Sequence, residues 1–300
     1  MRLFEPGSEA APSGPLRRVM MLVAYDGTSF HGFAAQPGQR TVGGVLAAVL
    51  GSMAGHEVTL TCAGRTDAGV HALGQVVHAD LDEATLAKWA GRELVAGMVL
   101  ERLAPSLTHQ LGGAVAVLEA RVAPDGFDAR HSATARCYRY ELLRTERPDP
   151  LLRHTSWHVP GKLDLAAMRI GADALLGEHD FSAFCRQVHG ETAPIVRRVL
   201  STCLSTAPGD DRLWVFSIAA NAFCHQMVRS LVGTLVAVGQ GRIPAGELLS
   251  ILRSGDRSRA AQPAPSRGLC LMGVRYPARL VPGGSWEPGR GDWVVPAPVA

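Results

Sequence analysis

The chain's first strong pattern is the run Val19-Met20-Met21-Leu22-Val23-Ala24, apolar without interruption and closed by the turn pair Asp26-Gly27. It predicts a strand over 18–25. Behind the cap candidate Thr41, the residues Val42, Val45, Leu46, Val49, Leu50 and Met53 recur at helical spacing, which predicts a helix. Strands at 58–63 and 75–80, a helix near 83–99 and a strand at 114–120 follow. The order is β-α-β-β-α-β, the ferredoxin-like arrangement. A second pass begins with a strand at 135–143 and a helix at 165–176. Strands at 196–205 and 213–220, a helix at 225–238, an extra helix at 245–253 and a strand at 268–275 complete it. The expected fold is α+β. Two ferredoxin-like halves form one extended, mainly antiparallel sheet, with helices packed mostly on one face. The other face is open, and the groove between the halves is a central cleft suited to a large polyanion. The limits read 1–17 for an N-terminal tail, 18–120 and 121–277 for the halves, and 278–300 for a Pro/Gly-rich C-terminal tail.

Composition narrows the class. With 47% hydrophobic and 19% charged residues in 300, the chain can bury a sizeable core and is not of the disordered type. A net charge of +3 does not by itself mark a nucleic-acid binder. The kind of base says more: Lys88 and Lys162 are the only lysines, and arginine suits bidentate phosphate contact and stacking on bases. A GC-rich genome produces the same bias. The six cysteines, Cys62, Cys137, Cys185, Cys203, Cys224 and Cys270, show no C-x-x-C pair. That spacing argues against a zinc site and a disulfide framework, and predicts reduced thiols in a cytoplasmic protein. The first 18 residues lack the apolar core of a signal peptide. No apolar run reaches the ~20 residues needed to cross a bilayer.

The candidate chemistry sits in Ala63-Gly64-Arg65-Thr66-Asp67-Ala68-Gly69-Val70-His71-Ala72. The segment reads as a loop between strands, where function concentrates. Its glycines allow tight backbone turns and close approach of a large ligand. Asp67 stands between them, with Arg65 two residues before and His71 four after. A metal pair of Asp67 and His71 lacks a third ligand nearby, so His71 is read as a hydrogen-bonding residue of the loop. A second segment, Asn221-Ala222-Phe223-Cys224-His225-Gln226-Met227-Val228-Arg229, puts one basic residue on an apolar helix. Such an arginine either pairs with an acid or snorkels to solvent. Tyr138 alternates with Arg136 and Tyr140 on one strand face.

These strings together resemble the motifs of the tRNA pseudouridine synthase A family, from about residue 18 to residue 277. The resemblance implies an isomerase that converts uridine to pseudouridine in the anticodon stem-loop of tRNAs, around positions 38–40. It implies an RNA-binding cleft, a homodimer, no cofactor and a cytoplasmic enzyme. Asp67 then corresponds to the catalytic nucleophile, acting at C1′ of the ribose or at C6 of the base. Arg229 corresponds to its cationic partner, and Tyr138 to the residue stacked on the target base. Arg65 corresponds to the base-flipping arginine, a role compatible with clamping a phosphate. Leu269, in Gly268-Leu269-Cys270-Leu271, corresponds to a leucine packed on the base. Arg130, Arg136, Arg139, Arg197, Arg198, Arg253, Arg257, Arg259 and Arg267 supply candidate phosphate contacts.

The sequence also departs from that family's pattern. Phe33 stands where Trp is common, Gly43 stands where Gln is usual, and the 100–113 segment is altered. Two other readings remain distinct from the synthase. One is an RNA-binding protein without catalysis, which has no need of Asp67; the other is a metal-dependent hydrolase.

Overall fold

A computed structural model of the chain describes residues 14–90, 94–186, 193–281 and 285–286. Most of both expected tails lies outside the described residues. The chain divides into two compact units: the first runs to Ala133 and resumes at Gly273, and the second spans Thr134–Met272.

The first unit contains β1 (Leu16–Tyr25), α1 (Val42–Ala54), β2 (Thr61–Cys62), β3 (His71–Asp82), α2 (Glu83–Ala90), α3 (Leu103–Gln110) and β4 (Val115–Val122). β1 lies between β3 and β4, antiparallel to both, and β2 pairs with β3. This is the ferredoxin-like order expected from the pattern. α1 starts where expected, with Thr41 Oγ1 accepting the Gly44 N–H at 3.1 Å. It buries Val42, Leu46 and Leu50, one stripe at i, i+4 spacing.

β1 explains its own unbroken apolar run, because Val19 to Val23 are all buried. Met20 and Leu22 pack with Val76, Phe127, Ala129, Val274 and Tyr276. Val19, Met21 and Val23 point to the opposite face. Each such side chain contributes about 1.5–3 kcal/mol when fully buried. The expected open sheet face is therefore closed at this point. Residues 123–129 and 274–281 cover it, and Tyr276 Oη donates to the Ala129 carbonyl at 2.7 Å.

The expected helix over 83–99 stops early. After residues 91–93, which lie outside the described set, Met98 and Leu100 run extended beside β4. Gly97 N–H donates to Val122 O, Val122 N–H to Met98 O and Leu100 N–H to Ala120 O, at 2.8–2.9 Å. The altered 100–113 segment forms α3 instead. Pro105 sits in its first turn, where a missing N–H costs nothing. Thr108 Oγ1 then ties the helix to the backbone of Val117.

The second unit contains β5 (Ala135–Leu143), β6 (Trp157–His158), α4 (Leu165–Asp173), β7 (Gly177–Asp180), β8 (Val196–Ala207), β9 (Asp210–Ala220), α5 (Met227–Gly239) and α6 (Glu247–Ser254), and β10 (Leu269–Arg275) begins in it and ends in the first unit. A two-residue strand, β11 (Ser285–Trp286), pairs with the end of β10. The order β10-β5-β9-β8-β7 repeats the ferredoxin-like arrangement with β7 added at the edge. β6 runs parallel to the end of β5. In α5 every residue but Arg229 is buried, so the helix serves as the core of this unit. α4 packs on both α5 and β8. Among the described residues no helix is long and apolar enough to cross a membrane.

Candidate active site

The Asp67 loop joins β2 to β3 and is shorter than expected, since His71 and Ala72 already belong to β3. The expected strand over 58–63 shrinks to Thr61–Cys62. The backbone groups beyond it pair with the segment after β1 instead of a neighbouring strand. Phe33 N–H donates to Thr66 O at 3.1 Å, and Gly69 N–H to Phe30 O at 3.2 Å. Gly27 comes so close that a Cβ there would collide with the carbonyl of Val70. Only glycine permits that approach. Below the loop, Tyr25 Oη and Thr66 Oγ1 lie 2.8 Å apart. Gln75 Nε2 donates to Gly64 O at 2.7 Å. Tyr25, Thr66 and Gln75 are all buried, so the loop is held from beneath as well as from the side.

This frame leaves Asp67 half-buried and Arg65 exposed on one loop. His71 hydrogen-bonds outside the loop: its Nδ1 accepts the Gly27 N–H at 3.1 Å. The ring thereby joins the same clamp. Cys62, the nearby thiol, is pushed up to about 11 by burial, against the opposing charge of Arg65. It is a neutral thiol at neutral pH, which leaves Asp67 as the loop's carboxylate candidate for covalent chemistry. Phe33, one of the departures from the family pattern, is buried with its ring 6.1 Å from Tyr25. Gly43 N–H donates to Phe33 O at 2.8 Å, so the two departures sit together.

In the second unit, Tyr140, Arg229 and Leu269 are connected through one segment. Gly233 lets residues 261–264 lie directly on α5, because a Cβ there would collide with Gln262 O. Ala261 N–H donates to Thr234 Oγ1 at 3.1 Å. Arg229 is clasped twice: its backbone oxygen accepts Ala264 N–H at 2.9 Å, and its Nε donates to Ala264 O at 2.8 Å. Next along the chain, Pro265 O accepts the Tyr140 hydroxyl at 2.7 Å. Burial drives that phenol far above its ordinary range, though Arg267 and Arg229 oppose the effect. Tyr140 is thus held in a structural role. Tyr138 lies two residues back on β5, 7% exposed, with its ring edge-on to Phe223 at 5.1 Å. Leu269 opens β10 and is buried.

Several elements of this arrangement were invisible in the sequence. Tyr25, Gln75 and Thr66 under the loop, and residues 261–265 along α5, act through packing between distant segments. The Pro263-Ala264-Pro265 string was the available signal for the second of these. The expectation of six reduced cysteines is corrected: Cys185 and Cys224 form a disulfide, their Cα atoms 5.8 Å apart, while Cys62, Cys137, Cys203 and Cys270 remain as thiols. The two partners are 39 residues apart. They meet because the turn after Ser182–Phe184 lies against the entry to α5, where Arg186 N–H donates to His225 O at 3.0 Å. Spacing alone carries no trace of that contact.

Comparison with known proteins agrees with the motifs. The family described as tRNA pseudouridine synthase matches residues 21–94 and 172–277. The tRNA pseudouridine synthase A of Frankia casuarinae is 43% identical over 87% of this chain and 90% of its own. That of Methylobacterium nodulans is 42% identical over 87% and 96%, and that of Halalkalibacterium halodurans 39% over 85% and 90%. Among solved structures, a Cbf5-Nop10-Gar1 complex aligns with 85% of this chain and 49% of its own at 11% identity, with a TM-score of 0.35. That likeness is too distant to bear on the site. On the family match and the identity to these relatives, the chain belongs to the tRNA pseudouridine synthase family and is an isomerase.

Proposed function

We propose that this enzyme isomerises uridine to pseudouridine in the anticodon stem-loop of tRNAs, around positions 38–40, acting in the cytoplasm as a homodimer. The observation that carries the reading is the clamped loop presenting Asp67 and Arg65 within the matched family region. The reaction breaks the N1–C1′ bond, turns the base and joins C5 to C1′. The C5 proton is lost and N1 gains one. No electron and no water is consumed, so the balance calls for no cofactor.

Asp67 is the nucleophile, and a carboxylate attack on either C1′ or C6 gives a covalent intermediate that holds one fragment while the other turns. Arg65, exposed on the same loop, fills the place the uridine vacates when it leaves its stack. Flipping costs a few kcal/mol, least at weakly paired positions. Tyr138 offers its ring to the base, and Leu269 packs against it. Arg229 is the counter-ion of Asp67, because a carboxylate withdrawn from water needs a cation. Its Nε bond to Ala264 fixes the guanidinium for that role.

The test is tritium release from tRNA labelled at uridine C5. Wild type releases tritium, while Asp67→Asn loses turnover by at least about 10⁴-fold, with tRNA affinity kept within about threefold. Appreciable turnover by Asp67→Asn would remove the nucleophile assignment. Binding without any release by wild type would favour a non-catalytic RNA-binding protein.

A further inference from the structure

We propose that Arg186 and Arg257 form a binding site for a single backbone phosphodiester of the RNA, next to the nucleotide handled by Arg229. The inference rests on the synthase reading above and adds a contact to it. Arg257 begins the 3-10 turn Arg257–Arg259 and is half-buried. Its Nη1 donates to Ser230 Oγ at 3.2 Å, and Ser230 is the fully buried neighbour of Arg229 on α5. Arg186 arrives from another direction. It follows Cys185, whose disulfide to Cys224 and whose neighbouring bond from Arg186 N–H to His225 O fix the backbone at the entry to α5. The 3-10 turn Ser182–Phe184 just before it packs on both α5 and the Arg257 turn.

Two cations thus share one corner of the second unit. Burial, and after it the charge of Arg186, lower the basicity of the Arg257 guanidinium. The acids nearest in sequence are engaged elsewhere: Asp256 Oδ1 accepts the Ser258 N–H and hydroxyl, and Glu247 pairs with Arg259. Two other candidate arginines are similarly occupied. Arg139 pairs with Glu141 and Arg198 with Glu178. Among the described residues neither Arg186 nor Arg257 has an ion pair. Two guanidinium groups within electrostatic reach of one another, with no described carboxylate paired to either, are unfavourable until an anion joins them, and their planar forks match the oxygens of a phosphate. A phosphodiester carries one charge, sits on every nucleotide and needs no base identity, which suits a contact that positions the strand.

The experiment measures kcat/KM for tritium release from C5-labelled tRNA between about 50 and 200 mM salt. The variants are Arg186→Gln, Arg257→Gln, Arg257→Lys and the Gln double. Each Gln variant raises KM about tenfold, and Lys at 257 recovers part of the loss. The double variant shows a log–log salt slope shallower by about 0.7, one phosphate on a single strand. Replacing single phosphates beside the target uridine with neutral methylphosphonate locates the contact: one such substitution weakens wild type and leaves the double variant unaffected. Arg186 is exposed, so its variant tests the site without risk to the fold. An active, folded double variant with wild-type KM and salt slope overturns the phosphate site and leaves the synthase reading intact. A wild type inactive on every tRNA sinks both.

Discussion

The two units use one topology, yet their equivalent hairpins differ. In the second unit β8 and β9 are 12 and 11 residues long and are joined by the tight Pro208-Gly209 turn. In the first unit the matching partner β2 keeps only two residues before the chain departs into the Asp67 loop. Backbone groups that leave a ladder must find partners elsewhere. Here Thr66 and Gly69 find them on the segment 25–33, and Gly27 packs tightly against the carbonyl of Val70. The first unit therefore gives up strand pairing to fix the Asp67 loop from several sides. The second keeps its hairpin intact and hangs its candidate substrate residues on β5, α5 and β10, with residues 261–268 tying α5 to Tyr140 of β5 and leading into β10. The proposed nucleophile needs placement to a fraction of an ångström, whereas the proposed stacking and counter-ion groups tolerate the precision of a packed helix or strand.

The contrast breaks most readily at Gly27. Gly27→Ala drives a Cβ into Val70 O and displaces the Asp67 loop, so turnover falls at least about a hundredfold. Gly209→Ala is its counterpart in the other hairpin. It has open space around it but a φ of +79°, so it costs roughly 1 kcal/mol of stability and leaves turnover unchanged. Tritium release beside thermal melts reads both variants. Equal losses of turnover would erase the distinction between the hairpins. Next comes Arg229→Leu, expected to lower kcat about 100-fold as the proposed counter-ion is lost. Arg229→Lys restores part of that rate if charge matters, and none if the Ala264 tether alone matters. Tyr25→Phe follows. It removes the hydroxyl shared with Thr66 and Gln75, costing about 1–2 kcal/mol in a melt and a few-fold in turnover.

How much of this was legible depended on the range of the interaction. Thr41 and the Val42–Leu46–Leu50 stripe announce α1 because caps and helical periodicity are local. The repeated β-α-β-β-α-β order was readable for the same reason. The Asp67 and Arg229 strings were readable because they match a known signature over a contiguous stretch. What stayed hidden was set by contacts between distant segments: β2 shortened by bonds to residues 25–33, Arg229 clasped by Ala264, and the Cys185–Cys224 disulfide. α3 was hidden differently, since Pro105 reads as a breaker unless it falls in a first turn. The covered sheet face under Met20 and Leu22 depended on Phe127 and Tyr276. Neither residue belongs to a periodic element that would have pointed to it.

A last and smaller effect separates the units by pH. His78, buried on β3, accepts the Ala129 N–H at Nδ1 over 3.0 Å, which requires an unprotonated nitrogen. Burial first, and then the charge of Arg18, lower its pKa, while Asp128 and Asp80 pull the other way. A folded-state value below the unfolded one of about 6.5 means that the unfolded chain binds the proton more readily. The contribution is present in full above about 6.5 and is lost as pH falls through the lowered folded value. Its counterpart in the second unit, the Tyr140–Pro265 bond, has a donor that does not titrate anywhere in this range. Mild acid should therefore loosen the packing of residues 127–129 on the first unit's sheet, lowering Tm by roughly 5 °C or less. His78→Asn retains an acceptor for Ala129 without a titrating ring, so its Tm should vary less with pH between 7 and 5. An unchanged pH slope in that variant would show that the acid sensitivity lies elsewhere.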